Sequence, residues 1–229
     1  MAKKINLTLF LLALILLVVT TVNGVFAYFS SNASAEGSNN FASLGVTLAY
    51  HKIDETNVNN YTAIDSSTGL VVYPVGGNIN RGEKFKIATE PNKTEADAVA
   101  ISFRLDPLAI ESYARIWVEA YLTTDTNKTT DYGQYFLLYA KGEDGSVEIA
   151  DKSINGNLAT YYLTTSANTS SSNYSNKFIF YEVQLDKNAP AELLGGDVTI
   201  NISYDMCQKA NKAYLSVFDD ERGYSSDWS

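Results

Sequence analysis

Acid–base, nucleophilic and metal chemistry need histidine, cysteine or paired carboxylates brought together. This sequence offers few of them. It has one histidine, His51, and one cysteine, Cys207, in 229 residues. A single histidine rules out an HExxH zinc helix and leaves a Ser-His-Asp triad only if His51 itself serves it. His51 closes an alternating stretch beside Lys52, so a solvated strand-end side chain is expected. Cys207 has no internal partner, and the expected role is that of a small buried apolar residue; an intermolecular disulfide or a reactive thiol is the alternative. Carboxylates cluster at Glu90, Glu95 and Asp97, and again at Asp219, Asp220 and Glu221. Calcium takes several oxygens of this kind, but a solvated acidic surface is the simpler expectation. Gly76-Gly77 lacks the Gly-Lys-Ser/Thr that completes a phosphate loop. No pair of carboxylates stands out for glycoside hydrolysis. The residues thus point to no catalytic group, no metal ligand and no cofactor.

The elements that carry these residues are strands. Val198, Ile200, Ile202 and Tyr204 alternate with Thr199, Asn201 and Ser203, a period of two rich in β-branched residues. Ile116, Val118, Ala120 and Leu122 form the inner face of a second such run. Leu44, Val46, Leu48 and Tyr50 form a third, and Ile179, Tyr181, Val183 and Leu185 a fourth. Weaker strand candidates span 70–75, 83–88, 98–105, 135–140, 147–150 and 160–164, with turn signals such as Asp106-Pro107 and Asn155-Gly156 between them. The class is all-β: a β-sandwich or jelly roll of about eight to ten strands, preceded by an N-terminal signal helix. Helical candidates are short: one turn at 107–112, and 211–220 as a small helix or a final strand. Residues 164–176 are almost all Ser, Thr and Asn and are expected as a long exposed loop. Residues 222–229 are expected as a polar, frayed tail on which Trp228 alone offers a docking group.

The N-terminus reads as a targeting segment. Lys3 and Lys4 precede an apolar run from Ile5 to about Val22, the n-region and h-region of a secretory signal. A cut between Ala27 and Tyr28 is expected, with a retained membrane anchor as the alternative, since the run approaches the roughly 20 apolar residues that span a bilayer. Cleavage removes two lysines and no acid, moving the net charge from −9 to −11. That acidity argues against nucleic acid and anionic membrane surfaces as partners. The expected organisation is a signal peptide over 1–27, a flexible segment over 28–40, a sandwich domain over 41–221 and the tail over 222–229.

Ala27-Tyr28-Phe29-Ser30-Ser31, a polar spacer, and then Phe41-Ala42-Ser43-Leu44-Gly45 resemble the start of the TasA/camelysin family, exported bacterial proteins with a SipW-dependent type of signal peptide. Ser112-Tyr113-Ala114-Arg115-Ile116-Trp117-Val118 is similar to a family strand, and Val198–Tyr204 followed by Gln208-Lys209-Ala210-Asn211 to its last strand. Arg81-Gly82-Glu83 departs from the family's Pro-Gly-Asp turn at Arg81. The resemblance implies a jelly-roll subunit of an extracellular fibre in a biofilm matrix or on the cell surface, assembled by donor-strand exchange. Residues 28–40 would then be the donor, with Tyr28, Phe29 and Phe41 as apolar anchors. Strand addition of this kind satisfies an open sheet edge, and a head-to-tail contact that does not close makes filaments. The implied partners are the chain itself or a related fibre subunit, and a signal peptidase during export, with only transient membrane contact through the signal peptide.

Two other functions compete. One is a monomeric surface adhesin presenting aromatic and Ser/Thr loops. The other is a camelysin-type metallopeptidase, which the single histidine disfavours.

Overall fold

The computed structural model describes residues 44–55, 57, 59–142, 145–195 and 197–228. The described chain is built mostly of β-strands, as expected from the alternation. Two long strands form its spine, β7 (Ser112–Leu122) and β14 (Val198–Gln208). They pair antiparallel along their whole length, from Val198 opposite Leu122 to Gln208 opposite Ser112. Ala114, Ile116, Val118 and Ala120 on one strand, and Val198, Ile200 and Ile202 on the other, are fully buried on the shared inner face. The period of two in the sequence is the period of the pleat.

Beside β7 lie β11 (Leu158–Thr165) and then β10 (Lys152–Asn155). On the other side β14 pairs with β3 (Leu70–Pro74), which turns a corner. Leu70, Val71 and Val72 pair with β14, while Tyr73 and Pro74 pair with β5 (Ile87–Ala88). The sheet continues through β6 (Val99–Leu105), β1 (Val46–Lys52) and β2 (Thr62–Ala63), and β12 (Ser175–Phe180) also pairs with β6. A second sheet has the order β4 (Lys84–Phe85), β13 (Glu182–Leu185), β8 (Phe136–Gly142), β9 (Gly145–Glu148). Both sheets contribute to one core, from Leu48 and Ile101 through Phe136 and Val183 to Ile200. Two tyrosines join its walls: the Tyr161 hydroxyl donates to the Phe136 carbonyl (2.7 Å) and the Tyr204 hydroxyl to the Ile64 carbonyl (3.2 Å). Each hydroxyl is satisfied inside the core, which burial demands.

Several expectations are corrected. The run 179–185 is not one strand. A register shift between Phe178 and Phe180 lets Ile179 and Phe180 both be buried, and the chain changes sheet at Tyr181. Residues 107–112 form no helical turn; Ser112 already belongs to β7. Residues 211–220 take the helical option, with a 3-10 turn at Ala210–Lys212 and α1 at Tyr214–Val217. The Ser/Thr/Asn loop is shorter than expected, because β11 runs to Thr165 and β12 starts at Ser175. It is also pinned, since the buried Asn168 amide donates to the carbonyls of Asp106 (2.9 Å) and Asn173 (2.8 Å).

The tail is not frayed. Residues 209–228 run as a strap over the outer face of β11, β7 and β14. Trp228 is 7% exposed and stacks on Tyr113 with ring centroids 4.4 Å apart, while Tyr162 meets it edge-on at 5.5 Å. Beneath the strap lies Arg115, 1% exposed. Its guanidinium donates to both carboxylate oxygens of Asp220 (2.7 Å each), to Asp205 (2.9 and 3.2 Å) and to the Gly223 carbonyl (2.8 Å). Arg222 lies 3.9 Å above the Trp117 ring and bonds Asp220 and Asp205 in turn. A buried guanidinium requires such compensation.

Candidate functional site

The residues expected at the cleavage point, Ala27 and Tyr28, and the expected anchors Tyr28, Phe29 and Phe41 lie outside the described residues. What the structure does place is the point where that segment joins the domain. Leu44 is buried, and its carbonyl accepts the Ile110 N–H (3.3 Å). The Gly45 carbonyl accepts the Asp106 N–H (2.6 Å). Gly45 has φ +66°, and a Cβ there would come within 3.0 Å of Ala109, so only glycine allows this approach. Leu108 donates its N–H to Ser170 (2.9 Å), and Ala109 accepts the N–H of Asn168 (2.9 Å). The start of β1, the 106–110 loop and the 166–174 loop are therefore one hydrogen-bonded unit.

At the other end of the strand order, no further strand pairs with the sheets among the described residues. β10 pairs with β11 alone, and β9 with β8 alone. The two follow each other in the chain, and Ile149 between them is buried with its N–H bonded to the Leu138 carbonyl (2.9 Å). The edges of both sheets therefore lie together. Each edge strand carries an exposed branched apolar side chain, Val147 at 60% and Ile154 at 47%. The strap holds β10 at its two ends. Ser225 donates to Asp151 (2.7 Å), and the Asn155 amide donates to the Glu221 carbonyl (3.2 Å). Of the other edges, β2 and β4 are two residues each, too short to template a new strand, and the six-residue β12, which pairs with β6 alone, lies toward the end of the strand order where the N-terminal segment joins.

No family model, no curated protein and no solved structure matches this chain. Its own residues carry the argument.

The remaining chemistry-bearing residues do not converge. His51 is not solvated as expected. It is 6% exposed at the end of β1, and burial lowers its pKa below the ordinary value. Cys207 is buried, and burial pushes its thiol up to about 12, which keeps it protonated and unreactive. The acidic cluster at 90–97 is divided among lysines: Glu90 with Lys93 (2.9 Å), Glu95 with Lys86 (2.5 Å) and Asp97 with Lys52 (3.5 Å). Asp220, expected on an acidic surface, instead serves Arg115. Among the described residues no group of three or more His, Cys, Asp or Glu is placed to hold a metal.

Asp131 is a half-buried carboxyl raised chiefly by burial, but it accepts the N–H groups of Ala120 (2.8 Å) and Gly133 (2.9 Å) and so shapes a loop. A Cβ on Gly133 would lie 1.9 Å from the Val118 carbonyl oxygen, so that loop also requires glycine. A hollow of about 350 Å³ near Tyr50 and Tyr61 is lined by two of these pairs, Lys93 with Glu90 and Lys52 with Asp97. Arg104 packs between the rings of Tyr61 (3.9 Å) and Tyr174 (3.5 Å), tying two loops over β6. Among the described residues no helix is long and apolar enough to cross a membrane.

The sequence reading missed β10, and with it Ile154. One apolar residue among Lys152, Ser153 and Asn155 makes no alternation, and the Asn155-Gly156 turn was the available signal. Leu108 and Ile110 were missed because Asp-Pro suggested a helical start.

Proposed function

We propose that this chain is an exported structural subunit of an extracellular fibre, of the biofilm-matrix or cell-surface kind, and not an enzyme. The sandwich is a jelly roll. Cleavage between Ala27 and Tyr28 frees residues 28–40, which add as a strand to the β9–β10 edge of another copy or of a related fibre subunit. The observation that carries this reading is the arrangement of the two sites. The N-terminal segment joins at β1, near one end of the strand order, and the four-residue edges, which no further described strand pairs with, lie at the other end. Donor and acceptor on different sides of one subunit favour a head-to-tail contact, and where its rotation does not close a chain of subunits follows. Tyr28 and Phe29, on opposite faces of an added strand, would bring apolar side chains to Val147 and Ile154, while backbone groups supply the pairing.

Negative-stain electron microscopy tests the reading on three chains: one beginning at Tyr28, one with a short extension before Tyr28, and one lacking residues 28–40. Filaments are expected only from the free Tyr28 end. Stable monomers from all three would overturn the reading. The hollow beside Tyr61 would then favour a monomeric adhesin, with aromatic faces and paired charges suited to a glycan.

A further inference from the structure

The N-terminal segment enters at a pole where two apolar side chains stand in solvent. Leu108 is 65% exposed and Ile110 is 40% exposed, with the buried Ala109 between them. Leu108 also has φ +60°, a left-handed conformation that branched residues seldom adopt. The loop is held there by the hydrogen bonds from Asp106, Leu108 and Ile110 to Gly45, Ser170 and Leu44. A rigid loop thus presents an apolar pair outward in an uncommon backbone conformation. Such outliers point to a contact surface.

The length of the segment says what covers it. Only residues 41–43 lie between the donor stretch and Leu44, four residue steps that span at most about 14 Å at roughly 3.3–3.6 Å per residue. Once residues 28–40 are paired along a neighbour, that neighbour's body is drawn to within this distance of Leu44. Leu44 bonds Ile110 directly. We propose that Leu108 and Ile110 form a second, body-to-body contact in the fibre, seated on the copy of this chain that receives the donor strand. The inference rests on the donor-strand reading. It adds that the joint between subunits is stiffened by a preformed apolar stop at the root of the donor, where a bare tether would swivel.

The test uses the full chain beginning at Tyr28, with Leu108→Glu/Ile110→Glu and the milder Leu108→Asn/Ile110→Thr, since asparagine tolerates the left-handed backbone. Critical concentration for filament growth is read by pelleting, and monomer melting is followed alongside. A rise of about tenfold in critical concentration with unchanged melting is expected, and any rise of threefold or more supports the contact. A smaller rise overturns it and leaves the donor reading standing. A fall in monomer melting in both variants also overturns it, because the pair is then covered by its own chain. If the unaltered chain forms no filaments, the donor reading fails. The contact is then judged by sedimentation: weak dimers lost in both variants support it, and monomers at every concentration refute it.

Discussion

The two long faces of β10 and β11 end in opposite ways. On the outer face, the strap encloses Arg115, Tyr162 and Trp228, all under 8% exposed, with charges and rings partnered on every side. On the lateral edge a few residues away, β10 and β9 leave Ile154 and Val147 half in water, and among the described residues no strand pairs with their outer backbone groups. The same stretch of chain is thus sealed in one direction and open in the other. Natural sheets usually blunt an open edge with charge, proline or a covering loop. Here a covering segment exists, and it is laid on the face instead. It braces β10 at both ends, through Ser225 to Asp151 and through Asn155 to Glu221, and no described strand pairs with the free edge. An edge held in place by such a brace loses little conformational freedom on accepting a strand, which favours binding.

The contrast breaks most severely at Arg115. Arg115→Met leaves Asp205 and Asp220 with Arg222 as their remaining cation, and removing the buried partner of an ion network costs about 3 kcal/mol. Urea unfolding should show that loss. A change under about 1 kcal/mol would mean that the strap contributes nothing to the sheet. Next comes Trp228→Ala, expected to cost about 3 kcal/mol by removing a large buried ring, with trypsin cutting after Arg222 far sooner than in the unaltered chain.

Acid offers a graded version. The arginines beside Asp220 hold its carboxyl down to about 2 against the ordinary 3.8. A depressed folded-state value stabilises above the unfolded one and is lost as pH falls from about 4 through about 2. The strap should therefore loosen in that window, and Asp220→Asn should flatten the slope of the urea midpoint against pH there. His51 works in the same direction at higher pH. Its lowered value means that stability is complete above 6.5 and declines below it, and His51→Gln should remove that decline. The smallest effect on stability belongs to the edge. Val147→Lys and Ile154→Lys should leave unfolding within about 0.5 kcal/mol of the unaltered chain, while filament growth is lost, since charge on an edge strand opposes pairing.

The legibility of the chain follows the same division. β7 and β14 could be read residue by residue, because one face is buried along eleven positions each and the alternation records it. The buried role of Cys207 was expected from its residue type alone, since it lies on the other face of β14, under the strap. The strap was not. Its aromatic and charged residues are spread over 113–228 and show no period, since Arg115 finds Asp220 through the fold and not through spacing. The edge was illegible because a strand with one paired side and exposed side chains has no core to pattern it. His51 was misread because Ala49, Ala100 and Ser102 around it are buried too, so β1 and β6 are covered on both faces where a half-buried pair was assumed. The donor segment was proposed from the likeness of its residues to a family, and its acceptor could be sought only on the folded chain.

Hydrogen exchange read by mass spectrometry on monomers and on filaments of the Tyr28 chain compares both regions in one measurement. Peptides covering β9 and β10 should exchange fast in the monomer and slowly in the filament, while those covering β7, β14 and the strap stay slow in both. Filaments whose β9 and β10 amides exchange as fast as the monomer's would contradict strand addition at this edge.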